Sequence, residues 1–334
     1  MVFRLNNTVS PHPSINRRFT VAPMMEWSDR HCRYLWRLIS RHAVLYTEMV
    51  TTGALLHADP ERFLRYNPSE HPLALQLGGS NPADLATCSK MAEDWGYDEV
   101  NLNCGCPSDR VQNGMIGAIL MAHPEKVADC IKAMQDAVSI DVTVKHRIGI
   151  DDMEDYPGMA HFVETIAKTG CKTFIVHARK AWLQGLSPKE NREVPPLRYD
   201  MVHQLKREFP ELEIVINGGL HTLEQCEEQV TGLDGVMVGR EAYSNPYLLA
   251  EVDKRFYHDE HPIPSRQEIA SQFVAYCQEQ MNEGQLLKYM TRHVLGLFQG
   301  LPGARRFRRH ISENAHKQDA SIAVLEDAIS LVNF

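Results

Sequence analysis

Asn101-Leu102-Asn103-Cys104-Gly105-Cys106-Pro107-Ser108, entered through the acidic turn Gly96-Tyr97-Asp98-Glu99, reads as a strand that ends in a sharp Gly-x-Pro loop. The helix before it is equally well punctuated: Asn81-Pro82 supplies a cap and a first-turn proline, and Gly96 closes it. Helix, strand and polar loop in that order make one unit of an alternating α/β chain. The loop holds the thiol of Cys106 at the lip of the sheet, where a thiol serves as nucleophile, metal ligand or proton donor.

The unit recurs. Eight segments have strand character: Phe19–Ala22, Leu45–Val50, Leu73–Leu77, Glu99–Asn103, Asp141–Lys145, Thr173–His177, Glu213–Ile216 and Gly235–Val238. They are rich in Val, Ile, Leu and Thr, as buried parallel strands are. Most precede a helical pattern; His123-Pro124 opens one such helix, and Gly170 closes another that starts near Gly158. Eight rounds of strand and helix predict a (β/α)8 TIM barrel, an α/β fold whose active site lies at the C-terminal ends of the strands. Those ends are polar here: Pro23-Met24, Glu48, Gln76, Asn103 and Cys106, Lys145 and Arg147, His177 and Arg179, Asn217-Gly218-Gly219, and Gly239-Arg240. A purely structural barrel has no reason to gather these types at one rim.

After about Val252 the strand pattern stops. Asp253–Ser265 is polar and proline-containing, like a linker, and four helices follow at Gln267–Asn282, Gln285–Gln299, Arg305–His316 and Ile322–Val332. The expected organisation is an N-terminal extension over 1–18, the barrel over 19–252 and a small all-helical bundle over 253–334. A chain of 334 residues, 43% apolar, has ample material for these cores and is neither disordered nor fibrous. It contains no run near the ~18 apolar residues of a membrane span. Its polar start, with two prolines and no apolar h-region, is not a secretory signal. Eight scattered cysteines then read as reduced thiols of a cytoplasmic protein.

The glycines after strands seven and eight offer backbone N–H groups, and Arg240 a guanidinium, where barrels bind phosphate. Tight turns alone would also use glycine, but both sets fall at the right two strands. Lys145, inside an apolar strand, must point into a polar site; it serves either as the electrostatic partner of a cofactor ring or phosphate, or as a Schiff-base lysine. His177 falls on the same rim. A metal at Cys104 and Cys106 is disfavoured, because Cys-x-Cys without a second ligand pair is a poor zinc signal; Cys104 reads as packing. The formal net charge of −8 argues against non-specific nucleic-acid binding. Two local basic clusters argue the other way. Arg179, Lys180, Lys189 and Arg192 lie on the long loop after strand six. Arg305, Arg306, Arg308, Arg309 and His310 put five basic groups in six positions, with Arg305, Arg308 and Arg309 on one helix face. A solvated face is the plain alternative; a phosphate-backbone contact is the reading that the concentration favours.

Val21-Ala22-Pro23-Met24, Tyr46-Thr47-Glu48-Met49, Gln76-Leu77-Gly78-Gly79, Asn101-Leu102-Asn103 through Cys106-Pro107, Lys145-His146-Arg147, His177-Ala178-Arg179, Asn217-Gly218-Gly219 and Gly239-Arg240 together resemble the tRNA-dihydrouridine synthases, from about Arg18 to the last helix. Arg30-His31-Cys32-Arg33-Tyr34, Ser187 to Arg192, Gly296 to Gly300 and Ser312 to His316 resemble subfamily A, which reduces uridines 20 and 20a of the D-loop. The resemblance implies an FMN barrel that NADPH reduces before tRNA enters the same face. It places Cys106 as the general acid that protonates C5 while hydride reaches C6. A free thiol, with an ordinary pKa of ~8.5, is mostly protonated near neutrality and can donate. The resemblance puts Ala22, Pro23, Met24, Gln76, Lys145, His177, Asn217, Gly218, Gly219, Gly239 and Arg240 at the cofactor. It puts Asn103 and Arg147 at the target base, and the basic clusters put Arg179, Lys189, Arg192, Arg305 and Arg308 at the tRNA. A monomer suffices for such a clamp, and no membrane is involved. Rival readings are a Schiff-base aldolase using Lys145, an FMN barrel acting on a free pyrimidine such as dihydroorotate, and an RNA-binding barrel without chemistry. The second leaves the basic clusters unexplained, and the third would not need Cys106.

Overall fold

The computed structural model describes residues 15–108, 114–153 and 155–334; the first fourteen residues of the expected N-terminal extension lie outside them. Eight parallel strands close into a barrel in chain order: β1 Phe19–Val21, β2 Val44–Thr51, β3 Leu73–Gly78, β4 Glu99–Cys104, β5 Asp141–Arg147, β6 Thr173–His177, β7 Glu213–Asn217 and β8 Gly235–Val238. The predicted punctuation is present. The Asn81 side chain accepts from the N–H groups of Ala83 and Asp84 at the start of the helix Pro82–Trp95, and Gly96 ends it at φ +91°.

Alternation divides each strand between two environments. On β4, Val100, Leu102 and Cys104 face the surrounding helices and are fully buried, so Cys104 is a packing residue as expected. Glu99, Asn101 and Asn103 face the barrel interior. That interior has an apolar girdle of Ala22, Val44, Tyr46, Ala74, Ile175, Val215 and Met237. It is otherwise polar, unlike the branched aliphatic layers common in this fold.

Arg17 closes the base. It is 3% exposed and grips Glu99 at 2.8 Å, Asp141 at 2.5 Å and Glu213 at 2.9 Å. The sequence reading assigns this residue to a mere extension. A signal is present, since Glu99, Asp141 and Glu213 each begin a strand, but only barrel closure brings them together.

The C-terminal region departs from expectation in two places. Val252–Tyr257 is a helix rather than linker, because Asp253 is buried against the barrel, accepting from Ser40 Oγ and from the backbone N–H groups of Arg41 and His42. The irregular connection is therefore confined to residues 258–265. The expected helix Gln285–Gln299 is broken into Leu287–Thr291 and a single 3-10 turn, Val294–Gly296. The break lets His293 enter the seam with the barrel. It also lets Gly296 pass so close to Ser244 that a Cβ there would lie 2.2 Å from the Ser244 carbonyl oxygen.

That seam runs along the barrel helix Arg30–Ile39. Asp29 caps the helix with one oxygen, at 3.0 Å from the N–H groups of His31 and Cys32, and meets His293 Nε2 with the other at 2.9 Å. His31 Nδ1 lies 2.7 Å from the Tyr276 hydroxyl, and Tyr34 stacks on the Tyr276 ring.

Candidate active site at the barrel mouth

Strand register sets the rim. Asn103 pairs with Lys145 across β4 and β5, and Arg147, His177 and Asn217 line up across β5, β6 and β7. At the end of β4 the Asn103 carboxamide turns the chain: its Oδ1 accepts from Gly105 N at 3.0 Å and Cys106 N at 2.9 Å. The Cys106 carbonyl accepts from Ala118 N at 2.8 Å, and Gly117, at φ +85°, passes so close that a Cβ would lie 2.4 Å from that oxygen. The loop is therefore pinned at both ends. Of eight free cysteines, Cys106 alone is not buried.

Around this thiol stand cations. Lys145 is held well below the usual lysine range, at about 7, by burial first and by the Arg147 guanidinium second, with Cys106 opposing. Its Nζ donates to Asn217 Oδ1 at 3.2 Å. Burial and the neighbouring Arg147, Lys145, Arg179 and Arg192 push His177 well below its ordinary value. Arg147 is lowered to about 10 by burial and, less, by Arg192 and Arg179. Arg179 and Arg192 are each lowered first by partial desolvation of the guanidinium, and Arg240 adds to the effect on both. Groups that depress one another in this way form a site suited to an anion.

The expected cofactor glycines adopt backbone that only glycine holds without strain: Gly218 at φ +117° and Gly219 at φ +68°. Gly218 lies against the His177 ring, where a Cβ would meet Cδ2 at 2.6 Å. Gly239 differs, since a Cβ there would meet only Ala22 Cβ at 3.6 Å and the Met24 sulfur at 3.7 Å. Space is left open between the ends of β1 and β8. Gln76 is buried, donating to Asn101 Oδ1 and accepting from Asn103 Nδ2, both at 2.8 Å. Pro23 and Met24 are partly buried at the same rim.

Four expected contacts are otherwise engaged, among them Arg179, whose guanidinium donates to the Glu193 and Pro195 carbonyls. Arg147 is 2% exposed, and its guanidinium donates to three carbonyls: Gly105 at 2.9 Å, Asn191 at 2.9 Å and Lys180 at 3.2 Å. It thus ties the Cys106 loop to the strand-six loop. Asn103 spends its oxygen on the Cys106 loop, as above. Arg240 pairs with Glu193 Oε1 at 2.7 Å on the surface. Lys189 and Arg192 are exposed on the strand-six loop, and Arg305 and Arg308 are exposed on the helix Ala304–Asn314. Sequence reading misses Asn191, which is fully buried in that loop. It accepts from Trp182 N and donates to the Trp182 and Leu186 carbonyls, fixing the basic segment. An asparagine inside a long charged loop is its only signal.

Known proteins match this arrangement over nearly the whole chain. The dihydrouridine synthase (Dus) family model matches residues 20–333. A tRNA-dihydrouridine(20/20a) synthase of Pseudomonas putida is 60% identical over 326 residues, covering 98% of this chain and 96% of that protein. The protein of the same name from Shewanella oneidensis is 56% identical over 328 residues, 98% of each chain. That of Vibrio cholerae is 56% identical over 318 residues, 95% of this chain and 97% of its own. With the barrel, the pinned Cys106 loop and its ring of cations, these matches lead to one conclusion: the chain belongs to the dihydrouridine synthase family.

Proposed function

We propose that this protein reduces the C5–C6 double bond of uridines 20 and 20a in the tRNA D-loop, with FMN as resident cofactor and NADPH as reductant. The observation that carries this reading is a single reachable thiol set beside Lys145, Arg147 and Arg192, on a protein whose net charge is −8. Free-pyrimidine chemistry does not need the exposed arginines of Ala304–Asn314, and a Schiff-base aldolase does not need the thiol.

The rim residues fit a phosphorylated ring cofactor. Lys145 has no carboxylate partner among the described residues, the Gly218–Gly219 turn offers backbone N–H groups, and there is room beside Gly239, Ala22 and Met24. Gln76, His177, Asn217, Pro23 and Arg240 complete that set. These residues would hold a flavin, which would supply the hydride for uracil C6 at the expense of NADPH. Cys106 gives its proton to C5, so one hydride and one proton, from two donors, saturate the bond. Asn103 and Arg147 hold the Cys106 loop beside the base. Arg179, Lys189, Arg192, Arg305 and Arg308 contact the RNA. The target base has to leave its stack, which costs least in a loop. One chain supplies both basic patches, so a monomer acts in the cytoplasm, where its tRNA is.

The test is direct. Purified protein should carry flavin absorbance, release FMN on denaturation and convert unmodified tRNA to the dihydrouridine form. A colourless protein that leaves tRNA unchanged would sink the reading. Charge reversal at Arg305 and Arg308 should weaken tRNA binding and flatten its salt dependence, by about 0.7–0.9 in slope for each phosphate no longer neutralised, with FMN content intact. Parent affinity and slope would return those arginines to a solvated helix face.

Lys145 adds a pH signature. In the free protein its ammonium loses its proton near 7, and an anion beside it raises that value again. Affinity for FMN should be fullest below 7 and fall as pH rises through it, and binding above 7 should take up a proton. Calorimetry in two buffers of different ionisation enthalpy measures that uptake. Lys145→Met should abolish it, and unaltered uptake would exclude Lys145 from the cofactor site.

A further inference from the structure

A continuous column of hydrogen bonds crosses the barrel from its base to the Cys106 loop, and the reaction as proposed uses only its upper end. Each link is a buried side chain. Glu99 is the foot. Arg17 Nε donates to Oε2 at 2.8 Å, and the hydroxyls of Tyr46, at 2.8 Å, and Thr143 donate to Oε1. Thr143 Oγ1 accepts from Asn101 Nδ2, Asn101 Oδ1 from Gln76 Nε2, and Gln76 Oε1 from Asn103 Nδ2, all at 2.8 Å. Asn103 Oδ1 accepts from the N–H groups of Gly105 and Cys106. Along β4 alone, Glu99 to Asn103 spans about 13 Å.

The column has a direction. A carboxylate facing an arginine and two hydroxyls only accepts, so the Thr143 proton points toward Glu99 and its lone pair toward Asn101. Asn101 must then turn its NH2 to Thr143 and its oxygen to Gln76. Gln76 must turn its oxygen to Asn103, and Asn103 must present an oxygen, not an NH2, to the loop. Any single inverted amide would set donor against donor inside the barrel, where an unmade hydrogen bond is costly. Links in such a chain also polarise one another. The column is thus fixed in the same sense from both ends, by the carboxylate at the base and by the Gly105 and Cys106 N–H groups at the loop.

We infer that Thr143 and Asn101 are positioning residues for the proton donor: they relay the orientation set by Glu99 through Gln76 and Asn103 to the loop that carries the Cys106 thiol. This rests on the reading of Cys106 as proton donor, but the geometry of the relay does not. Thr143→Val keeps the shape and removes the hydroxyl, so Asn101 loses its acceptor and the amides above it are held from the loop end only. The loop is then held less firmly, and the thiol is presented in more than one way.

The experiment reads Thr143→Val in three ways. First, alkylation of Cys106 by iodoacetamide, with the other seven cysteines buried, should speed up by about fivefold or more. This needs neither cofactor nor tRNA, so it reports on the relay even if the functional reading fails. Second, dihydrouridine formation should slow by about five- to tenfold, and Thr143→Ser should restore both readouts. Third, in a Cys106→Ala background the same substitution should cost nothing further, since the residue it acts through is gone. Asn101→Ser interrupts the column one link higher, leaves Glu99 its three donors, and is read identically should Thr143→Val not fold. An unaltered alkylation rate overturns the inference, and so does an equal fractional loss with and without Cys106, which would mean that the column serves only the fold or the cofactor.

Discussion

Cys106→Ala is expected to retain its flavin and oxidise NADPH at the parent rate while dihydrouridine formation falls by about 10²–10⁴-fold, the usual worth of a placed general acid. The two halves separate on the proposed reading, in which the thiol donates to the base and is not needed to reduce the cofactor. The backbone around position 106 is held by Asn103 and Ala118, not by the thiol, so alanine leaves the loop in place. Flavin bleaching by NADPH under anaerobic conditions reports the first half. Mass spectrometry of digested tRNA reports the second. Parent-rate dihydrouridine formation would remove Cys106 from the chemistry, and an absence of bleaching would mean that the residue belongs to the cofactor site.

The second large effect is on stability. Arg17→Met should lower the unfolding free energy by about 3–5 kcal/mol, the cost of breaking a buried pair and leaving one charge behind. Glu99 is the charge that matters, being fully buried; Asp141, half-exposed, contributes little. The pH dependence has a definite sign. Without the guanidinium, the folded-state carboxyl of Glu99 sits further above its unfolded value of about 4.3, so folding binds a proton and the variant loses stability as pH rises above that value. The gap to the parent should narrow as pH falls toward about 4. Glu99→Gln added to Arg17→Met should recover part of the loss at neutral pH. Urea denaturation at several pH values measures all of this. A gap that does not change with pH would show that packing, rather than charge, makes Arg17 valuable.

Local signals carry much of the architecture because they are local. Asn81-Pro82 and Gly96 bracket a helix by their own backbone preferences, and the strand positions follow from apolar runs between such marks. The rim is legible because parallel strands put like ends together, so Lys145, His177 and Asn217 have to meet. What the chain does not disclose depends on closure. The alternation Glu-Val-Asn-Leu-Asn-Cys on β4 shows two faces but not which one looks inward. That choice turns three polar residues into a column rather than a solvated edge. Arg17 cannot be linked to Glu99, Asp141 and Glu213 without the ring that gathers strands four, five and seven. Arg147 is marked for the site by its place at a strand end; only the three carbonyls converging on it reveal that it also staples two loops. The predicted helix through His293 fails for a tertiary reason, since a buried histidine reaching Asp29 and a glycine touching the Ser244 carbonyl outweigh local helical preference.

Asp29 also sets an order in time. It emerges from the ribosome 264 residues before His293, the group that holds its second oxygen. The nascent helix Arg30–Ile39 has its own cap from the outset, but the carboxylate waits with half of its partners unmade until His293 is translated. A product that stops short of position 293 contains every strand of the barrel and the Cys106 loop, yet presents an open acidic seam beside the mouth. Closure of the seam at that carboxylate is therefore a contact that becomes available only after every strand of the barrel has been made.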